Sequence, residues 1–179
     1  MYQLVIPERE LYDEVNGEFL TIEGRTIQVE HSLVSMSKWE SKWNKPFLSK
    51  FTKTTEETID YIRCMTITQN VKKETYSNLT NENINEISKY IAAPMSATTF
   101  YDNKKGTSNE IITSEIIYYW MITYNIPFEC QKWHLNRLLT LIRVCSNKNE
   151  KPKKMSKAEI ANRNRDLNAQ RKRQLNSNG

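Results

Sequence analysis

Alternating apolar and polar residues at the start of the chain predict β-strands. The runs YQLVI, EFLTI and RTIQVEH are short and rich in β-branched and aromatic residues. In the last run Ile27 and Val29 alternate with polar neighbours, so one face of that strand should be buried. Gly24 separates the second and third runs and can supply the positive φ of a tight turn, so we expect a hairpin between them.

From Ser32 onward apolar residues recur every three or four positions, which predicts helices. Two clear stripes are Ile59, Ile62 and Met65, and, after Thr80, Ile84, Ile87 and Ile91. Four segments open with S/T-x-x-E, in which the hydroxyl and the carboxylate can each bond a free N–H at a helix start. These capping boxes begin at Ser37, Thr54, Thr107 and Ser156.

Two neighbouring segments are the most apolar part of the sequence. Segment 109–125, NEIITSEIIYYWMITYN, is apolar nearly all round after its first turn, so we expect a buried helix. Pro127 ends it, and CQKWHLNRLLTLIRVC follows as a second helix with a wide apolar face. That face comprises Trp133, Leu135, Leu138, Leu139, Leu141, Ile142 and Val144. The pattern predicts a mainly α fold with a small N-terminal β-hairpin or sheet, an α+β protein around a central buried helical hairpin.

The composition changes after Asn147. The run NKNEKPKK has no apolar residue and is typical of a linker. The segment beyond it has one thin apolar stripe, Ile160, Leu167 and Leu175, which is too little for an independently stable helix. We therefore divide the chain into a β element, 1–32, a helical core domain, 33–147, and a basic linker with a helical or disordered tail, 148–179.

The charge distribution sets the tail apart. The chain has a formal net charge of +5. Residues 148–179 hold ten Lys and Arg against three Asp and Glu, whereas residues 1–147 hold 16 against 18. A basic segment on a slightly acidic body is typical of an interaction arm more than of a basic binding face.

The basic tail has three interpretations. It could bind nucleic acid through a strip of arginines, dock as a helix into a groove of a partner protein, or remain a solvated end. The acidic body has no recognisable module that reads nucleic acid, which favours protein docking. The candidate partner-binding residues are Ile160, Arg163, Arg165, Leu167, Arg171, Arg173 and Leu175.

Metal binding and catalysis find little support. Cys130 and His134 are four residues apart and could share a helix face, with Cys64, Cys145 or His31 completing a zinc site. No C-x-x-C pair accompanies them, so buried thiols and a histidine at a helix start are the simpler interpretation. No nucleophile elbow, H-E-x-x-H or Gly-rich phosphate loop occurs. We expect neither an enzyme nor a cofactor.

Two tryptophans suggest a second surface. Trp39 and Trp43 are four apart, with Lys38, Lys42 and Lys45 between and beside them. Such a pattern can stack on single-stranded nucleic acid, but two residues at i and i+4 more often form one packed helix face. We favour core packing.

The expected location is a reducing cytoplasm. Three widely spaced cysteines indicate no disulfide framework, and the N-terminus lacks the features of a signal peptide. The most apolar run, IIYYWMI, is too short to span a bilayer.

Three stretches, in this order, resemble tailed-bacteriophage tail assembly chaperones. They are HSLVSMSKWESKWNKPFL, EIITSEIIYYWMITYNIPFECQKWHLNRLLTLIRVC and KKMSKAEIANRNRDLNAQRKRQLNSNG, and together they cover most of 31–179. The ending NIPFECQKWHLNRLLTLIRV is the most specific part. The resemblance implies a non-catalytic protein of the host cell cytoplasm that binds the tape measure protein, keeps it soluble and is absent from the mature virion.

The same resemblance implies further partners. The major tail protein, self-association and a frameshifted longer form belong to this interpretation. Two alternatives remain open: a phage nucleic-acid-binding or regulatory protein that acts through the basic tail, and a structural protein of the tail. Salt distinguishes the first alternative, because phosphate-dominated binding weakens steeply as salt rises.

Overall fold

The structure, a computed structural model, describes residues 1–13, 17–100, 111–149 and 157–175. The chain divides into two compact units, Met1–Ser146 and Asn147–Gly179. It is mostly helical with a small antiparallel sheet at the N-terminus, which confirms the α+β class. The predicted caps at Thr107 and Ser156, and most of the predicted linker, lie outside the described residues.

Four strands form a long two-stranded ribbon rather than the predicted hairpin. They are β1 Tyr2–Ile6, β2 Arg9–Asp13, β3 Glu18–Ile22 and β4 Arg25–Val29. β1 pairs with β4, and β2 pairs with β3 inside it. Ile6 lies opposite Arg25 and Arg9 opposite Ile22, so two residues are skipped on each side and the register is unchanged. The predicted pairing of 18–22 with 25–31 is therefore wrong, because those strands follow each other along one side of the ribbon.

Gly24 has a different role from the predicted turn. It lies where the pairing is interrupted, opposite Pro7, which has no N–H to donate to a ladder. A Cβ on Gly24 would lie 2.6 Å from the Glu8 nitrogen and 2.9 Å from the Ile6 oxygen. The close approach of two backbones requires glycine here. The positive φ belongs instead to Gly17, at +67°, just before β3.

Six α-helices follow the ribbon in the described part of the chain. They are α1 Leu33–Trp43, α2 Thr55–Met65, α3 Asn81–Ala92, α4 Ser114–Thr123, α5 Leu135–Asn149 and α6 Lys157–Gln174, with 3-10 segments at Lys73–Asn78 and Phe128–Lys132. The core is one cluster to which β1, β4 and α1 all contribute, and Leu4, Ile27 and Leu33 in it are fully buried. The α1 helix also packs against α2 and α4, so it occupies the centre that the sequence assigned to a hairpin of the later helices.

Local capping explains where several helices begin. Before α2, the Thr54 hydroxyl accepts a hydrogen bond from the Glu57 N–H, and the Glu57 carboxylate accepts one from the Thr54 N–H at 2.8 Å, so this predicted box is confirmed. The box predicted at Ser37 is wrong. The α1 helix starts after Ser32, whose hydroxyl caps the Ser35 N–H.

The tryptophans of α1 pack as predicted. Trp39 is fully buried, and its indole N–H donates to the Glu57 carbonyl at 2.9 Å. The indole N–H of half-buried Trp43 donates to the Asp60 carboxylate, which also pairs with Lys42. These contacts tie α1 to α2, and core packing accounts for the tryptophan pair.

Candidate functional site

The predicted docking residues lie on α6, and only some of them share a face. At 3.6 residues per turn, Ile160, Arg163, Leu167 and Arg171 lie on one side of the helix. Leu175 continues that side, because its N–H still bonds the Arg171 carbonyl at 2.9 Å. Arg165 and Arg173 point to the opposite side. The structure therefore groups five of the seven predicted residues.

The apolar content of α6 is small. Ile160 is 45% exposed, Leu167 39% and Leu175 75%. Every other described side chain of the helix is also exposed, and most are polar or charged. An isolated stripe of three apolar residues buries little surface against a partner, so charge dominates what α6 can offer.

The α4 helix is a stronger candidate, and the prediction that it is buried all round is wrong. Ile117 and Met121 are fully buried on the side that packs toward α1. On the other side Tyr119 is 65% exposed and Ile122 is 61% exposed. The all-round apolar pattern of α4 therefore reflects one side packed in the core and another side exposed to solvent.

On another side of α4 a groove opens toward α5. It has a volume of about 300 Å³ and is lined by Trp120, Tyr124, Leu139, Ile142, Arg143 and Ser146. The two helices predicted to form a buried hairpin thus line an open groove. We define the α4 face as the apolar surface that α4 exposes on two sides, with Tyr119 and Ile122 on one and the groove residues Trp120, Tyr124 and Leu139 on the other.

The carboxylate of Glu40 fixes the start of α4. Glu40 lies on α1 and is 8% exposed. One of its oxygens accepts a hydrogen bond from the Ser114 N–H at 2.8 Å, and the other accepts one from the Phe47 N–H at 2.7 Å. Thr113 provides no side-chain cap, so Glu40 supplies both the acceptor and the negative charge that a helix N-terminus favours.

The end of α4 is also well defined. Asn125 adopts a left-handed φ of 52°, and the Ile126 N–H returns to the Met121 carbonyl at 2.8 Å. Farther along, the Tyr118 hydroxyl donates to Gln131 at 2.9 Å. The helix is held at both ends, so the α4 face is presented on a fixed support.

The α4 face is almost free of charge. Glu115 is the charged residue of α4, and Arg143 is the charged residue of the groove wall. The Arg143 guanidinium lies 4.0 Å from the centre of the Phe100 ring. Such a surface can bury apolar side chains of a partner, whereas it offers no pair of groups for proton transfer.

The predicted α5 helix begins later than expected. It starts at Leu135, and Cys130 lies in the preceding 3-10 segment, so Cys130 and His134 do not share one helix face. Leu135, Leu138 and Ile142 are buried, as the apolar face predicts. Within the described residues, no group of three or more His, Cys, Asp and Glu side chains is placed to hold a metal ion.

His31 and His134 instead form a buried pair. Their ring centroids are 5.1 Å apart, and His31 Nδ1 shares a hydrogen bond of 2.5 Å with the Tyr61 hydroxyl. His134 Nε2 lies 3.1 Å from the Tyr90 carbonyl oxygen. Burial, and then the neighbouring His134, lower the pKa of His31 to about 3, and burial also lowers the pKa of His134. Both rings are therefore neutral at pH 7 and belong to the core.

Comparisons with protein-family models, with curated proteins and with solved structures find no match to this chain. The long apolar helix needed to cross a membrane is not found among the described residues. The resemblance to tail assembly chaperones therefore stays a prediction, and the α4 face is the structural feature on which a function can be argued.

Proposed function

We propose that this chain is a bacteriophage tail assembly chaperone, a non-catalytic protein that binds the tape measure protein, keeps it soluble and assists assembly of the tail tube. The observation that carries the proposal is the α4 face, where Tyr119 and Ile122 are more than half exposed on one side of α4 and an apolar groove opens on another side. Large exposed apolar side chains grouped on one surface mark interaction sites.

The shape of the α4 face suits a helical client. Residues of α4 and α5, together with Tyr124 just beyond α4, line the groove, and an amphipathic helix can lay its apolar side into an apolar groove of this kind. Burial of such side chains stabilises the complex by about 25 cal/mol per Å² of apolar surface. Since the face carries little charge, binding should change little with salt.

The proposal extends to the cell and to other partners. A protein that holds an unassembled client acts in the host cell cytoplasm and leaves before the tail is complete. The major tail protein, a frameshifted longer form and a second copy of the chain are the further partners that the resemblance implies.

One alternative has an observation of its own. The described part of α6 holds six Lys and Arg residues against two acidic residues, and its basic side chains are exposed. A nucleic-acid-binding protein acting through this helix is the second candidate. Its binding would fall steeply with salt, because neutralised phosphates release counterions.

Co-expression with the tape measure protein of the same phage tests the proposal. The pull-down is done at about 100 mM and about 1 M salt, where the Debye length falls from about 10 Å to about 3 Å. We expect soluble client that stays bound at both concentrations. Insoluble, unbound client would contradict the chaperone function, and nucleic acid that washes off with salt would favour the alternative.

Two variants test whether the α4 face is the surface that binds the client. The double substitution Tyr119→Ser and Ile122→Ser removes exposed apolar groups and should leave the client insoluble. The matched control, Val5→Ser, removes an exposed apolar side chain of the ribbon, 62% exposed, and should retain solubilisation. Truncation after Asn149 removes α6 while leaving α5 intact.

A further inference from the structure

We propose that the outer hairpin of the ribbon is a second docking surface, which takes an extended, lysine- or arginine-rich segment of a partner protein. We call this surface the ribbon tip and define it by Glu10, Tyr12, Phe19 and Thr21. It does not depend on the α4 face or on the chaperone function.

An exposed aromatic pair marks the ribbon tip. Tyr12 on β2 lies opposite Phe19 on β3, and their ring centroids are 5.1 Å apart at an angle of 55°. Tyr12 is 56% exposed and Phe19 is 71% exposed. Glu10 and Thr21 form the next pair on the same face, because residues two apart on a strand point to the same side.

The ribbon tip has an edge for strand addition. The β2–β3 sheet has two strands, and a two-stranded hairpin is marginally stable in water by itself. Its base is held by Asn78, whose side-chain amide donates to the Pro7 and Ile22 carbonyls. Among the described residues, β2 pairs with β3 alone, and the edge of β2 that faces away from β3 has no strand beside it. An extended segment can pair with that edge.

Charge selects the kind of segment. Residues 8–23 contain six acidic residues and one basic residue, Arg9. The side chains of Glu8, Glu10 and Glu23 are exposed. Carboxylates beside exposed aromatic rings attract ammonium and guanidinium groups through charge and cation–π contacts, and they repel phosphates and other anions.

The ribbon tip fits one kind of occupant, an extended cationic segment. A strand in which basic residues alternate with polar ones places its cations on one face, at the spacing of the Glu10–Tyr12 row. Its backbone pairs with the open edge of β2, and its cations lie over the rings and beside the carboxylates. The ribbon tip therefore fits a cationic extended segment better than an apolar helix.

Fluorescence anisotropy on the full chain tests this directly. The probe is a short labelled peptide in which lysine alternates with threonine, and the control peptide replaces every lysine with glutamate. We expect the lysine peptide to bind and the glutamate peptide not to bind. Equal binding of both peptides, or binding of neither, would overturn the proposal and leave the carboxylates as a device against edge-to-edge aggregation.

Variants locate the contact. The double variant Tyr12→Ser with Phe19→Ser should lower the affinity for the lysine peptide about three- to fivefold, because cation–π contacts are lost. Glu10→Lys should lower the affinity for the lysine peptide further at low salt. The Glu10 side chain is exposed, so the change should not disturb packing. The control variant Tyr119→Ser on α4 should bind the peptide normally. Affinity unchanged in both ribbon variants would show that the peptide binds elsewhere, and the proposal would fail.

Discussion

The helices α4 and α6 both expose apolar side chains, yet they differ in what surrounds those side chains. On α4, Tyr119 and Ile122 are exposed on the side opposite the core, and an apolar groove opens on another side of the helix. On α6, Ile160, Leu167 and Leu175 form a thin stripe among charged neighbours. A docking surface is therefore better recognised by its support and its lack of charge than by a basic tail.

Substitutions on the two sides of α4 should differ most in their effect on the free energy of unfolding. Ile117→Ala should lower the free energy of unfolding by about 2–5 kcal/mol, because it leaves a cavity in the core. Ile122→Ala, on the exposed side, should change it by less than about 0.5 kcal/mol. Urea denaturation of the two variants measures both. Similar losses would mean that Ile122 is covered, and the comparison with α6 would lose its basis.

The anchor at the start of α4 gives the next effect. Glu40→Ala removes the acceptor of two buried N–H groups, at Ser114 and Phe47, and should cost about 3 kcal/mol. Asp166→Ala on α6 is the matched control and should be nearly neutral. Thermal unfolding followed by circular dichroism tests the pair. If Glu40→Ala leaves thermal stability unchanged, the start of α4 does not depend on this carboxylate.

Acid should affect the body but not α6, which has no histidine. The folded pKa of His31 is about 3, below the ordinary value of 6.5, so the unfolded chain binds the proton more readily. Stability is therefore fully present above pH 6.5 and is lost as the pH falls toward 3. Between pH 7.5 and pH 5 the loss from His31 should be about 2 kcal/mol, and His134 acts in the same direction.

Urea midpoints at several pH values measure this loss, and His31→Gln provides the control. That variant should be less stable at pH 7.5 and should show a shallower dependence on pH, because the titrating ring is gone. An equally steep dependence in the variant would assign the acid sensitivity to other groups.

The smallest effect concerns α6 itself. Leu167→Ser should change the unfolding free energy of the body by less than about 0.5 kcal/mol, because its side chain is exposed on a separate unit. It should also leave solubilisation of the tape measure protein unchanged. Loss of solubilisation in this variant, at normal stability, would move the client site from α4 to α6.

Much of the fold could be predicted from periodicity and caps. Three of the four strands, the α2 start at Thr54 and the α3 start at Thr80 follow from local patterns, whereas β2, Arg9–Asp13, was missed. The pairing of the strands did not follow, since alternation identifies a buried face but not its partner strand. The cap at Ser37 failed because S/T-x-x-E also occurs inside a helix, where Glu40 serves a distant backbone.

The candidate site was harder to predict than the fold. An all-round apolar pattern over 114–123 fits both a buried helix and a helix with one face left for a partner, so the exposure of Ile122 had no signal of its own. The contact of Glu40 with Ser114 joins residues that are 74 apart in sequence. Only the folded chain brings them together.

Hydrogen exchange on the complex with the tape measure protein shows which surface of the chain the client covers. We expect new protection at 114–124 and at 139–146 when the client binds, with little change at 157–175. Protection concentrated at 157–175, with α4 and the groove unchanged, would contradict it and return the binding site to the tail.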